Sequence, residues 1–322
     1  FKQIVKDLHK SLEPELDNLK SVITSYIGSD VNLINEIQAF LSSHPGKLLR
    51  PTLTILSAKL FNYKGDNHIK LAAAIECIHA ATLLHDDVID NSEIRHNQPT
   101  INLMWNNKSA ILMGDYLFSK AFQLMVSTKK LEVLEILSLS SAVISKGELH
   151  QLENIGNINL NENDYINIIT AKTAYLFQAA THVGALIATN NKKEINLLKE
   201  LGLNFGLAYQ ILDDINDYTL KESTIGKNPG DDLREGKLTL PLILALKKMN
   251  LQEKVIVEEI IAKEIKTNED LNKILLLLNK YNSLEESKKL AKKYITQAIN
   301  RLNLINDSSA KENLISLVKA VV

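Results

Sequence analysis

An all-α fold is predicted for this sequence by three observations. Apolar residues return at intervals of three and four through nearly every long stretch, and no stretch sustains the alternation of a half-buried strand. The six prolines and twelve glycines fall mostly between the periodic runs, as chain punctuation does. With 322 residues, 45% of them apolar and 23% charged, the chain can enclose a large core, and it reads as one domain over 1–322.

Taken in order, helical periodicity runs through residues 4–26, 31–41, 53–61, 69–89, 109–125, 131–152, 165–188 and 195–218, and resumes from residue 240 to the end. Residues 219–237 break the pattern with Gly226, Pro229, Gly230 and Gly236 among charged residues, which reads as a mobile surface loop. Beyond about residue 251, Lys and Glu alternate with Leu and Ile, so this third of the chain is expected to be scaffold. Residues 173–191 lack any Asp, Glu, Lys or Arg, but Gln178, Thr181, His182 and Thr189 interrupt them. A buried helix fits better than a membrane span of about 20 residues. The opening residues mix charge with apolar side chains, unlike a signal peptide, although a native start before Phe1 could have been trimmed. Cys77 is the only cysteine, which excludes an internal disulfide framework and suits a reducing cytoplasm. With 37 basic and 38 acidic residues the net charge is -1, which leaves no footprint for nucleic acid.

The chemistry is concentrated in two similar decapeptides, Ala81-Thr-Leu-Leu-His-Asp-Asp-Val-Ile-Asp90 and Ala208-Tyr-Gln-Ile-Leu-Asp-Asp-Ile-Asn-Asp217. On a helix, Asp86 and Asp90 share one face, as do Asp213 and Asp217. Like charges at that spacing repel, and Asp is a mediocre helix former, so two such triplets after apolar runs are costly unless cations neutralise them. Hard carboxylate oxygens favour Mg²⁺ with phosphate completing its shell. A pair of solvated acidic faces is the bland alternative.

Cationic residues occur in small separated groups: Lys47 and Arg50 in Gly46-Lys-Leu-Leu-Arg-Pro51, then Arg95, Lys172, Lys227 and Lys237. Lys47 and Arg50 lie three apart at an expected helix start, where Pro51 is tolerated in the first turn and a diphosphate can be received. His79 stands about two turns before Asp86 on the same face and could donate to a second anion, although a satisfied core histidine is the plainer reading. No Walker loop, nucleophile dyad or Cys/His metal pair is present. The pattern describes a metal-bound diphosphate leaving group, whose loss creates an allylic cation in a dry pocket, beside a second, metal-free diphosphate.

These motifs, in this order from residue 46 to residue 242, resemble the trans-isoprenyl diphosphate synthase family and especially its long-chain polyprenyl members. The resemblance rests on Gly46 to Pro51, Asp86-Asp-Val-Ile-Asp90 with Arg95, Lys172-Thr173, Tyr209-Gln210 before Asp213-Asp-Ile-Asn-Asp217, and Gly226-Lys227 through Gly236-Lys-Leu-Thr-Leu-Pro241. It implies an isoprenoid-synthase helical bundle with a central cavity and a Mg²⁺ cofactor. Asp86, Asp90 and Asp213 would hold metal directly, with Asp87, Asp214 and Asp217 in support. Arg95, Lys172, Lys227 and Lys237 would bind an allylic diphosphate, such as farnesyl or geranyl diphosphate. Lys47, Arg50 and His79 would bind isopentenyl diphosphate, and Thr173 and Gln210 would lie beside the developing cation. The released diphosphate would take the proton. The resemblance further implies a homodimer, a product for quinone side chains, and at most peripheral membrane contact at product release.

Two departures stand out. His96 occupies the place of a second arginine, so an isopentenyl diphosphate contact there would titrate near the unperturbed histidine value of about 6.5. Tyr209 replaces the commoner phenylalanine but keeps the ring. The tail should run down the helix before Asp86, past Thr82, Ala81 and Ile78, none aromatic, with Phe118, Phe122 and Met125 supplying bulk deeper on a facing helix. At a rise of about 1.5 Å per residue, one turn spans roughly one isoprene unit, which suits a product of about eight units. The rival readings are a terpenoid cyclase, a head-to-head synthase and a non-catalytic subunit of a heteromeric synthase. A cyclase needs no second diphosphate site, and a silent subunit should have lost aspartates that are all present here.

Overall fold

The computed structural model describes residues 1–95, 98–219 and 229–322. The chain begins with α1 (Lys2–Ser11) and α2 (Glu13–Ile27), where periodicity alone predicts one helix. The break at Leu12 follows from Pro14 in the first turn of α2, whose ring cannot continue a preceding helix and whose nitrogen cannot donate. Then come α3 (Asn32–Ser43), α4 (Leu49–Lys59), α5 (Asn67–Ile89), a short α6 (Ile101–Met104), α7 (Asn107–Ser127) and α8 (Leu131–Glu153). Among the described residues a two-residue antiparallel ladder, Ile94–Arg95 with Gln98–Pro99, is the small exception to the helices.

The predicted helix over 165–188 is a composite. α9 (Glu162–Ile169) passes through a π-helical turn at Thr170–Ala174 into α10 (Tyr175–Ala188). α10 is buried along most of its length, which explains its lack of charge. It packs against α4 and against α11 (Lys192–Thr219), while α5 lies against α4 and α7. No helix of the described residues is long and apolar enough to cross a membrane.

The expected loop at 219–237 is only partly within the described residues, and there it forms turns and a short helix. Gly230 donates its N–H to the Asp217 carbonyl, α12 (Asp231–Arg234) follows, and the Gly236 carbonyl accepts from Gly156 N–H. Gly230 and Gly236 have φ of 80° and 76°, values that glycine adopts without steric cost. The remainder forms α13 (Leu240–Leu246), α14 (Leu251–Ala262), α15 (Asn268–Lys280), α16 (Ser283–Leu302) and α17 (Ser309–Ala320). Side-chain caps start several of these, including capping boxes at Asn250/Glu253 and Thr267/Asp270. Of the C-terminal helices, α16 lies along α11 and braces the helix that carries the second aspartate triplet.

Candidate active site

The first aspartate triplet closes α5, with Asp90 as its C-cap and its N–H bonded to the Asp86 carbonyl. Carboxylates at the negative end of a helix dipole are disfavoured by about 0.3–1 kcal/mol each, so their retention there calls for cations. The fold brings three. Arg95 donates through Nε and Nη2 to Asp87 Oδ1, both at 2.7 Å, Lys237 Nζ reaches Asp90 Oδ2 at 3.2 Å, and Lys172 Nζ reaches Glu148 Oε2 at 2.7 Å. Burial raises the Asp86 carboxyl above its ordinary range, opposed by the attraction of Lys172 and reinforced by Asp90. For Lys237 the burial that would lower its pKa is outweighed by Glu235 and Asp90, which raise it.

Lys172 owes its position to the π turn, whose wider coil projects it where a regular helix would not. Gly147 on α8 makes this possible, because a Cβ there would stand 2.7 Å from the Lys172 backbone nitrogen. With no side chain at Gly147, α8 closes on the turn and delivers Glu148. Burial raises the Glu148 carboxyl, while Lys172 pulls it down.

The second triplet occupies the last two turns of α11 in a different setting. Asp213 is exposed, whereas Asp214 and Asp217 are buried. Asp214 Oδ1 accepts from Gln210 Nε2 at 2.7 Å and its Oδ2 accepts from the Tyr165 hydroxyl at 2.5 Å, while Gln210 Oε1 accepts from Thr173 at 2.7 Å. Asp217 Oδ1 takes the Asp231 N–H at 3.2 Å, and its Oδ2 is buried without a hydrogen-bond partner. Burial, then Asp232, pushes both carboxyls up, Asp217 to about 8. Gly206 places this helix, since a Cβ there would stand 2.6 Å from Ala174 Cα, and the close approach lets Gln210, one turn on, reach Thr173.

The remaining predicted cations gather elsewhere, around the start of α4. Leu48, its N-cap, adopts a left-handed φ of 44°, and Pro51 sits in the first turn as expected. Lys47 Nζ donates to the Tyr209 hydroxyl at 3.3 Å. Arg50 Nη1 donates to His79 Nε2 at 3.0 Å, and its guanidinium lies 4.1 Å from the Phe177 ring centroid. His79 is half-buried and is a polar partner at this cluster. Glu76, one turn earlier on α5, is a half-buried acid that sequence reasoning missed, and desolvation lifts it to about 7 against the pull of Arg50. Burial lowers Arg50 to about 10, which keeps it charged at neutral pH.

Some expectations need correction. Phe122 is 42% exposed, because the buried stripe of α7 runs through Gly114, Leu117, Ala121, Leu124 and Met125, and Phe122 falls beside it. It supplies no bulk inside the core. Ala81, Ile78 and Met125 are buried, and Thr82 is half-buried with its hydroxyl bonded to the His79 carbonyl. Lys227 and His96, with Gly226, lie outside the described residues. Among the described residues no three acidic, imidazole or thiol groups already converge on one metal-sized point. The donors still fit magnesium, which takes one or two carboxylates and completes its shell with water and substrate phosphate. The unpartnered Asp217 oxygen is a further hard donor near the site.

Helical bundle, paired aspartate triplets and two cation clusters together define an isoprenoid synthase. The chain belongs to the polyprenyl synthetase family, which it matches over residues 31–278. It is 36% identical to octaprenyl diphosphate synthase of Escherichia coli over 96% of this chain and 95% of that one. Among solved structures it superposes with a TM-score of 0.94 on decaprenyl diphosphate synthase from Rhodobacter capsulatus, at 39% identity over 98% of each chain. The TM-score is also 0.94 for a polyprenyl synthase from Caulobacter crescentus complexed with calcium and isoprenyl diphosphate, at 38% identity over 98% of this chain and 97% of the other. This protein is a prenyltransferase, a trans-prenyl diphosphate synthase. Relatives' names span products from geranylgeranyl to decaprenyl, so relatedness alone does not set the chain length.

Proposed function

We propose that this enzyme is a magnesium-dependent, head-to-tail synthase that extends an allylic diphosphate with successive isopentenyl diphosphates to a long all-trans polyprenyl diphosphate for quinone side chains. The observation that carries the reading is the separation of cations into two clusters. Lys172, Lys237 and Arg95 surround the first aspartate triplet, while Lys47, Arg50 and His79 assemble at the start of α4. One cluster suits a metal-bound leaving diphosphate and the other a diphosphate that stays on its carbon. A cyclase would have no use for the second, and a silent subunit has no reason to keep both triplets. Bound Mg²⁺ supplies charge neutralisation to the departing diphosphate. Asp86, Asp90 and Asp213 are its ligands in this reading, Asp87 holds Arg95 in place, and Thr173 and Gln210 face the developing cation.

The tail runs past Thr82, Ala81 and Ile78 towards Met125, and the absence of aromatic rings near its mouth favours about eight isoprene units at one turn per unit. Exposed Leu112, Val126, Leu131 and Leu139 on α7 and α8 form an apolar face that suits a homodimer. Incubation with farnesyl diphosphate, isopentenyl diphosphate and Mg²⁺, followed by product sizing, tests the reading. Products of about eight units are expected, and a cyclised hydrocarbon or no elongation would overturn it. Ala81→Phe should stop growth after about three or four units, because a packed wall cannot hold both ring and tail.

A further inference from the structure

The hydrogen bonds behind the second aspartate triplet form a chain whose direction is fixed by chemistry. Tyr165 is 3% exposed and its hydroxyl donates to Asp214 Oδ2 at 2.5 Å. The Gln210 amide turns its NH₂, which donates and does not accept, towards Asp214 Oδ1, 2.7 Å away. That orientation aims Gln210 Oε1 at Thr173, which must then donate its only hydroxyl proton, over 2.7 Å. The proton of Thr173 is thereby committed to Gln210, and what Thr173 can offer elsewhere is oxygen lone pairs. A hydroxyl that presents lone pairs stabilises a cation, whereas one that presents its proton opposes it.

We propose that Tyr165 is a positioning residue for cation stabilisation: through Asp214 and Gln210 it fixes the polarity of the Thr173 hydroxyl. This inference rests on the proposed placement of Thr173 and Gln210 beside the allylic cation. Tyr165 touches no substrate in it. Its local setting agrees, because α9 feeds directly into the π turn that carries Thr173, so one short segment is tied to the same carboxylate by the phenol at one end and through Gln210 at the other. Asp214→Asn makes the opposite polarity available. Its carboxamide can still accept from Tyr165, but its NH₂ faces Gln210, which must flip and donate to Thr173, turning the Thr173 proton outward.

The test measures binding to magnesium-loaded protein by calorimetry with two farnesyl diphosphate analogues. One carries a protonated ammonium in place of the cationic carbon, and the other is the uncharged, unreactive thiolo analogue. Losing a directly placed dipole costs about 10²–10³ in rate, so an indirect holder should cost less, about tenfold. Tyr165→Phe should weaken the ammonium analogue about tenfold relative to the thiolo analogue, lower kcat by a similar factor and leave both KM values unchanged. Asp214→Asn should show a larger ratio change, and it serves as the reading if Tyr165→Phe does not fold. Tyr165→Phe combined with Thr173→Val should cost little more than Thr173→Val alone, because both act through one hydroxyl. An unchanged ratio, or equal weakening of both analogues, would overturn the proposal. Failure of the wild-type protein to elongate farnesyl diphosphate would instead overturn the proposed function.

Discussion

The two aspartate triplets are near-repeats in sequence, yet the fold compensates them by different means. Around Asp86, Asp87 and Asp90 the counter-charges are cationic side chains, Arg95 and Lys237 in direct contact and Lys172 through its field. Around Asp214 and Asp217 the direct hydrogen-bond donors are neutral: a phenol, a carboxamide and a backbone N–H. Neutral donors satisfy oxygen lone pairs without cancelling charge, so burial and Asp232 raise both carboxyls. The first triplet is met by three cations, two of them shared with Glu148 and Glu235, whereas the buried Asp214 and Asp217 have no cation among their hydrogen-bond donors. A repeat in sequence is therefore no guide to equal electrostatics.

The largest effects should test whether both triplets are needed for turnover. Asp86→Ala and Asp213→Ala should each lower kcat by about 10³-fold while circular dichroism stays helical, since each removes a ligand from a charge-neutralising cluster. Near-normal turnover in either folded variant would break the pairing. Lys237→Ala comes next, with an expected rise of about tenfold in KM for the allylic substrate, the worth of one charge-assisted hydrogen bond. A KM change confined to isopentenyl diphosphate would put Lys237 at the other cluster.

Stability should separate the triplets by sign. Asp87→Asn removes the charge that Arg95 holds and should cost about 2 kcal/mol, lowering Tm by roughly 4 °C. Asp217→Asn should raise Tm at pH 8 in EDTA, because it deletes a buried charge with an unpartnered oxygen. The smallest effect is the pH slope. The Asp217 pKa is about 8 in the folded protein, above its unfolded value of about 4, so the folded state binds the extra proton. Its stabilising contribution is full below about pH 4 and is lost as pH rises towards 8. Melting in EDTA across that window should show a decline that Asp217→Asn makes shallower and Mg²⁺ reduces. Parallel slopes for the two proteins would show that the neutral donors suffice.

Helix positions and both aspartate triplets were legible because periodicity and i,i+4 spacing are local properties. The cations Lys47, Arg50, Arg95, Lys172 and Lys237 were legible as motif members, but their grouping into two clusters depends on how α4, α5, α8 and α11 meet. Tyr165, Glu148 and Glu76 were missed for that reason. Each is a polar residue within a helix, and its partner lies 49, 24 and 26 positions away in sequence, respectively. Phe122 was misread because a one-position error on a helix turns a side chain by about 100°. The break at Leu12 could have been read from Pro14, whereas nothing local announces the π turn.

That turn makes the enzyme sensitive to chain length in a place where no substitution would reveal it. A π turn holds one more residue than the α-helix around it. Deleting one residue within Thr170–Ala174 would let the helix regularise with α9 and α10 still in register, and Lys172 and Thr173 would lose the offset that the wider turn gives them. Tyr165 would still reach Asp214, while Thr173 would be displaced from Gln210. Insertions and deletions usually find tolerance in surface loops, but here the least tolerant position is an extra residue in the middle of a buried helix. Within this fold, α9 and α10 can drift in sequence far more freely than in residue count.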